Sequence, residues 1–368
     1  MAEHGEDVPA YRTIRMTAPD APVAALADVE AWQAREAYPL MVSAGGPVFG
    51  VAQEREEGGW KLHRFFCNDT PQGAREGMSM TFRRLAQEAE QAGREADHEE
   101  CMRAAVKLDW EKVDEMTVLG TRYRVVRAER FIRTGPDGPE PPRPSDPDPA
   151  ELGRGNEAPD PSAGFVIDPV TPTGMSEGIL KAELLALVRA EGTVPADVRD
   201  DSLVAAREHP GGVLLPATFM TAERIGGHWA PFSGADATSP QGAREVLAVH
   251  LRVMAPIMRR LDPEERASYA GAADLFEEER GADLEVCGRH WRIVRVERLV
   301  RIGPDGPEPP RPSDHDPELP ILEHDRILRE QGSIPDEDAP IELDDTAKEL
   351  MVAFQQEEEH RRRRRKRS

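Results

Sequence analysis

The stretch GPDGPEPPRPSD occupies residues 135–146 and returns letter for letter at residues 303–314, 168 positions later. The segments ahead of the two copies also match: VLGTRYRVVRAERFIRT at 118–134 and VCGRHWRIVRVERLVRI at 286–302. A repeat at a fixed offset constrains the architecture before any single residue does, because each copy reads as the same supersecondary unit. Further upstream, PQGARE recurs at 71–76 and 240–245, GGW at 58–60 corresponds to GGHW at 226–229, and AREAYP at 34–39 to AREHP at 206–210. The order is the same both times. The sequence therefore predicts two tandem homologous α+β units, 23–149 and 197–317, each with β-hairpins in antiparallel sheet and packed helices. An N-terminal arm (1–22), a linker with a helix (150–196), a C-terminal helical segment (318–359) and a basic disordered tail (360–368) complete the expected layout. Two like units suggest face-to-face packing about an approximate twofold axis.

Local signals support that order. Residues 29–38 read as a helix stopped by Pro39. PVFGVAQE (47–54), a glycine turn and WKLHRFF (60–66) read as a hairpin. Thr70 before Pro71, and Ser239 before Pro240, put an N-cap oxygen ahead of a proline at the first helical position. Apolar positions from Val246 to Leu261 predict a buried helix kinked at Pro256. Asp262 with Glu265 reads as a capping box, and Asp97-His98-Glu99-Glu100 as its counterpart. A short strand at 116–119, a turn at Gly120 and a long strand at 121–134 follow.

Charge is unevenly distributed. The formal net charge is −22, yet HRRRRRKRS at 360–368 carries +7. A strongly negative body argues against nucleic-acid binding by the whole surface, which needs a positive face. Residues 361–368 are the exception. Cys67, Cys101 and Cys287 are far apart and odd in number, which excludes a disulfide framework and a cysteine zinc site. No apolar run is long enough to span a membrane, and the acidic N-terminus is unlike a signal peptide, so a cytoplasmic setting is expected. Arginine outnumbers lysine 41 to 6, a bias that GC-rich coding also produces, so arginine richness alone says little.

The chemistry-bearing residues lie on the long strand. Arg124, Arg127, Arg130 and Arg133 recur as Arg292, Arg295, Arg298 and Arg301. Alternation puts Arg127, Glu129 and Arg133 on one face with Tyr123 and Phe131, and Arg124 and Arg130 on the other. Glu297 stands to Arg295 as Glu129 does to Arg127. One reading is an ion-pair ladder whose arginine stems pack as apolar cover. The other is an anion-binding face, since arginine forks match phosphate and carboxylate. Gly-Pro-Asp-Gly is a turn sequence and PEPPRP favours polyproline II, giving a stiff strap across the sheet or a rigid arm that places Arg143 and Asp146. Of the 32 paired positions 118–149 and 286–317, 22 are identical, and Arg124, Arg127, Glu129, Arg130, Arg133, Arg143 and Asp146 repeat unchanged while core positions swap Val125 for Ile293 and Phe131 for Leu299. The candidate ligand-binding set is Arg124, Arg127, Glu129, Arg133, Arg143 and Asp146 with Arg292, Arg295, Glu297, Arg301, Arg311 and Asp314. Trp60 and Trp229 match between the copies and are expected in hairpin or core packing. No histidine spacing suits a metal, and no phosphate loop or nucleophile motif is present, so no catalytic residue, metal or cofactor is expected.

The RVVRAER…GPDGPEPPRPSD motif resembles a family of uncharacterised actinobacterial proteins with a domain of unknown function often present in duplicate. The resemblance covers both units, implies no activity, and leaves the tail outside. The leading expectation is a non-catalytic binding or scaffold module, with an arginine-lined groove between the units for an anionic small molecule or acidic protein segment. Alternatives are nucleic-acid association through residues 361–368, and an enzyme of unrecognised type using Glu129 or Glu297 between arginines.

Overall fold

A computed structural model describes residues 9–18, 21–63, 66–149, 155, 164–187, 190–333 and 343–365. The first half contributes α1 (Pro22–Ala37), β1 (Leu40–Ser43), β2 (Val48–Glu54), β3 (Trp60–Leu62), α2 (Pro71–Gln91), α3 (Glu95–Trp110), β4 (Glu115–Val118), β5 (Thr121–Gly135) and β6 (Gly138–Pro139). Next come β7 (Val166–Ile167) and α4 (Met175–Ala186). The second half holds α5 (Ala196–Glu208), β8 (Gly211–Ile225), β9 (His228–Pro231), α6 (Pro240–Val249), α7 (Ala255–Met258), α8 (Pro263–Glu279), β10 (Asp283–Val286), β11 (Arg289–Gly303) and β12 (Gly306–Pro307). The helices α9 (Ile321–Glu330) and α10 (Asp345–Arg365) follow.

The fold is α+β, with one 12-stranded sheet whose main path runs β7-β3-β2-β5-β11-β8-β9. The two halves meet edge to edge in this sheet and not face to face. Strands β5 and β11 pair antiparallel at four positions, Ala128 to Phe131 against Glu297 to Val300. The physical reason is that each long strand keeps an open edge beyond its own hairpin, and the amide and carbonyl groups on such an edge need partners.

Away from this crossing the long strands diverge, and the proline-rich straps fill the wedge. The Glu140 N–H donates to Arg133 O at 2.9 Å, and the Glu140 carbonyl accepts the Arg295 N–H at 3.0 Å. Likewise the Glu308 N–H donates to Arg301 O, and its carbonyl accepts the Arg127 N–H, both at 2.9 Å. Each strap thus stitches its own strand to that of the other half.

Helices cover one face of the sheet. Helices α2 and α3 bury Met78, Phe82, Cys101 and Leu108 against Phe49, Val51, Tyr123 and Val125. Helices α6 and α8 do the same over Phe219, Trp291 and Ile293. Full burial of a side chain such as Phe82 stabilises by roughly 1.5–3 kcal/mol. Helix α4 lies over the crossing itself, with Leu180 and Leu184 against Phe131 and Leu299. The other face carries two apolar clusters, around Val126 and Val300 and around Ile132 and Val294.

The predicted caps on α2 and α6 are present: Thr70 Oγ1 accepts the Gly73 N–H at 3.3 Å and Ser239 Oγ the Gly242 N–H at 3.0 Å. Asp262 and Glu265 form the capping box. Asp97 does not cap. A tight turn through Gly93 (φ 69°) starts α3 at Glu95, leaving Asp97 in the first turn, paired with Arg94 at 2.6 Å. Pro256 is accommodated without a simple kink, because His250–Met254 form a π-helical segment between α6 and α7. That wider turn relieves the proline of the carbonyl it would otherwise strike.

The tail expected to be disordered from residue 360 is helical through Arg365, while 366–368 lie outside the described residues. Pairs of Glu358 with Arg362 and Glu359 with Arg363 support it from within, at i,i+4 spacing. Arg361 donates to Glu245 O at 2.9 Å, and Arg364 reaches Asp274 at 2.9 Å and Glu277 at 2.6 Å. The acidic face of α8 therefore orders much of the positive charge.

Candidate functional site

Ten of the twelve candidate residues form a reciprocal clasp in which each strap grips the strand of the other half. Arg127 Nε meets both oxygens of Asp314 at 3.0 Å, and Arg295 Nε meets those of Asp146 at 3.0 and 3.2 Å. Arg127 also holds Glu129 at 3.0 Å, as Arg295 holds Glu297. Arg311 bridges Glu308 (2.6 Å) and Glu129 (2.9 Å), and Arg143 bridges Glu140 (2.7 Å) and Glu297 (3.3 Å). The Arg311 and Arg143 amides each donate to the aspartate three residues on, at 2.7 Å. On the opposite face, Arg124 donates to the carbonyls of Asp305 and Pro307, both at 3.0 Å, and lies over the Trp60 ring at 5.0 Å. Arg292 does the same to Asp137 and Pro139 at 2.9 and 3.2 Å, over Trp229 at 4.9 Å.

The repeated GPDG turn has a local reason. Gly138 and Gly306 take φ values of 106° and 107°, a left-handed region that favours glycine. A Cβ at Gly138 would overlap the Trp229 indole, and one at Gly306 the Trp60 indole. Each tryptophan thus packs beneath the strap of the other half.

The straps end on the PQGARE helices. Asp316 accepts the Gln72 N–H at 3.1 Å and pairs with Arg75 at 2.7 Å. Asp148 accepts the Gln241 N–H at 2.9 Å and pairs with Arg244 at 3.0 Å. A carboxylate suits a helix N-terminus, where free N–H groups and the helix dipole carry positive charge. Sequence reasoning left Asp316, Arg75, Asp148 and Arg244 out. Their signal was the shared Asp148/Asp316 and the two copies of PQGARE.

These charges are buried, and their titration reflects it. Burial raises the carboxyls of Glu140 and Asp314 above their ordinary values. Burial pushes Glu297 up as well, but Arg295, Arg143 and Arg133 overcome it and hold its carboxyl below the usual range.

The last two candidates, Arg133 and Arg301, lie under α4. Arg301 donates to Leu185 O at 3.1 Å, and Arg133 pairs with Glu183 at 3.2 Å. The Nε of each is buried with no hydrogen-bond partner among the described residues. Helix α4 sits on one side only, and there it roofs a cavity of about 350 Å³. Its cations are Arg35 from α1, Arg133 from β5, Lys181 from α4, and Arg143 and Arg295 from the clasp, and its carboxylates are Glu297, Glu177 and Asp168. Lys181 is 3% exposed and makes no hydrogen bond or ion pair among the described residues. Burial lowers its pKa, opposed by Glu177. Arg35 and Arg133 share Glu183, at 2.7 and 3.2 Å. The cavity also follows from a break in β8. Pairing steps from Val296↔Thr218 to Arg298↔Leu215, so Pro216 and Ala217 bulge opposite Glu297. Proline has no N–H for the ladder, which suits it to such a bulge.

The structure thus brings Arg133, Arg143, Arg295 and Glu297 to the cavity. Arg124, Arg127, Glu129, Asp146, Arg292, Arg301, Arg311 and Asp314 do not line it. Lys181 and Arg35 were missed, since neither belongs to the matched charged positions of the long strand. Among the described residues no group of three or more metal-ligating side chains occurs, and no helix is long and apolar enough to cross a membrane.

No curated protein and no solved structure matches the chain. Residues 21–317 match the Family of unknown function (DUF5954), a span that takes in both straps and leaves out α9 and α10. The chain belongs to that family of unknown function.

Proposed function

We propose that the protein is a non-catalytic binding module of the cytoplasm, made of two copies of one unit, that holds a small anionic ligand in the cavity beneath α4. The observation that carries this reading is Lys181. The Lys181 side chain is 3% exposed with no ion-pair partner among the described residues, and burial disfavours its charged form. A ligand carboxylate or phosphate would offset it, and would also supply the acceptor that Arg133 Nε lacks. A volume of about 350 Å³ suits a compact ligand. In this reading the clasp around Arg295 and Glu297 is the rigid floor, and α4 is the element that turns one side of a doubled scaffold into a site.

Native mass spectrometry of the purified chain, followed by thermal shift with inorganic phosphate and with citrate, tests the reading. A retained anion, or a rise in Tm that Lys181→Met abolishes, is the expected result. Without ligand, Lys181→Met should fold as well as the parent or better, because it removes an unpaired buried charge. Absence of any bound anion together with no shift from either probe overturns the proposal.

A further inference from the structure

A second cavity, of about 950 Å³, opens on the other face of the sheet, over Val42, Ile132, Ala222, Val294 and Trp229. The register identifies its counterpart around Trp60. Val42↔Ile132 corresponds to Val213↔Val300, and Arg292↔Ala222 to Ala52↔Arg124. There the matching floor of Val213, Val300, Ala52, Val126 and Trp60 is covered by three side chains from outside the matched segments: Tyr11, Phe165 and Ile167. Ile167 arrives on β7, an added strand that pairs it with Trp60, and Phe165 just ahead of that strand, where its carbonyl accepts the Leu62 N–H at 2.8 Å.

The groove around Trp229 has no such cover among the described residues. Among the described residues strand β9 pairs only with β8 and β1 only with β5. Leu40 and Val42 are 64% and 46% exposed, whereas Trp60 in the covered half is 5% exposed. Pro231 stands where Leu62 does and has no N–H to donate, so an occupant here would gain less from strand pairing and more from the apolar floor. Charge adds direction. In the covered half Asp168 lies beside Gly59, the residue before Trp60. The matching end of the open groove holds His228 and Arg224, and Arg224 is exposed with no ion pair among the described residues.

We propose that this groove docks an extended segment of a partner protein, with an aromatic and a branched apolar side chain at alternating positions and a carboxylate just after them. The chain shows the mode on itself: Phe165-Val166-Ile167-Asp168 already lies that way in the matching half. Such recognition places alternate side chains in pockets beside an exposed edge.

The probe is a fluorescein-labelled peptide of residues 164–171, GFVIDPVT, titrated with the full chain and read by fluorescence anisotropy. Saturable binding is expected. It should vanish when Phe165 and Ile167 of the peptide are both serine, and weaken by about tenfold or more in Val42→Glu protein. Arg224→Glu, a surface change that leaves the core intact, should weaken binding by several-fold. No saturable binding, or equal binding by both protein variants, overturns the proposal. Analytical ultracentrifugation of the full chain distinguishes the remaining occupant: a dimer that Val42→Glu returns to monomer assigns the groove to a second copy, and the partner reading falls.

Discussion

Arg130 and Arg298, 168 positions apart in the sequence, stand directly opposite each other at the centre of the β5–β11 ladder. Like charges facing across a ladder are destabilising. The guanidinium groups resolve this by finding separate acceptors. Arg130 donates to Gly46 O at 3.0 Å and pairs with Asp69 at 3.1 Å. Arg298 donates to Pro216 O at 2.9 and 3.1 Å and to Phe66 O at 3.2 Å. The two positions should therefore respond differently. Arg298→Ala strips donors from the Pro216 and Phe66 carbonyls and is expected to cost about 1–3 kcal/mol per buried acceptor left unpaired. Arg130→Ala should cost less, because Asp69 is 77% exposed and water replaces the arginine. Urea unfolding of both variants checks the order.

The swapped straps make a prediction about coupling. Arg127 grips Asp314, not the Asp146 of its own half. A double-mutant cycle on Arg127 and Asp314 should give a coupling energy of about 0.5–3 kcal/mol, and one on Arg127 and Asp146 a value near zero. The reverse outcome would mean that each strap closes its own half.

Glu297 supplies a pH dependence. Arginines hold its folded carboxyl below 4.5, the ordinary glutamate value, despite burial. Its contribution to stability is thus fully present above that value and is lost as pH falls through the depressed folded one. Glu140 and Asp314, raised by burial, have the opposite sign: their penalty sets in as pH rises above their ordinary values and is complete above the folded ones. At neutral pH, Glu297→Gln removes one of the two carboxylates that each of Arg295 and Arg143 meets, leaving Asp146 and Glu140, and should destabilise by less than the about 3–5 kcal/mol of a buried charge left wholly unpaired. The gap between parent and variant should narrow on acidification, measured by urea midpoints along a pH series.

Much of this architecture was legible because the signals were local. A hydroxyl before proline announced α2 and α6, alternation announced β5 and β11, and Gly-Pro-Asp-Gly announced the turns at 135–138 and 303–306. The reciprocity was not, because PEPPRPSD reads the same whether Asp146 meets Arg127 or Arg295. Edge-to-edge joining was hidden for the same reason: Ala128 to Phe131 carry no mark naming their partner strand. Lys181 stayed invisible because the repeat gave no comparison for α4. The order of the arginine tail depends on Asp274 and Glu277, distant in sequence, so composition alone read it as solvated.

Gly138 and Gly306 offer a sharp test of the straps. Alanine at either meets two penalties, a left-handed φ near 106° and overlap with an indole. Backbone strain of this kind costs roughly 1–3 kcal/mol. Gly138→Ala should alter the environment of Trp229 in the second half while leaving Trp60 in place, and Gly306→Ala should do the reverse. Tryptophan emission in Trp60→Phe and Trp229→Phe backgrounds separates the two.

Lys181 predicts how anion binding should depend on pH. Burial lowers its pKa from 10.5, so it loses its charge at a lower pH than a surface lysine does. A bound anion favours the charged form and draws the pKa back up. Affinity for phosphate or citrate should therefore decline as pH rises through the folded value of Lys181, ahead of any arginine in the cavity. In that range binding should take up a proton, so the calorimetric heat should change with the ionisation enthalpy of the buffer. Bound ligand should also protect Lys181 from acylation. Lys181→Arg keeps a charge throughout and should flatten the affinity profile, whereas Lys181→Met should remove the binding. A profile unchanged in Lys181→Arg would place the titrating group elsewhere.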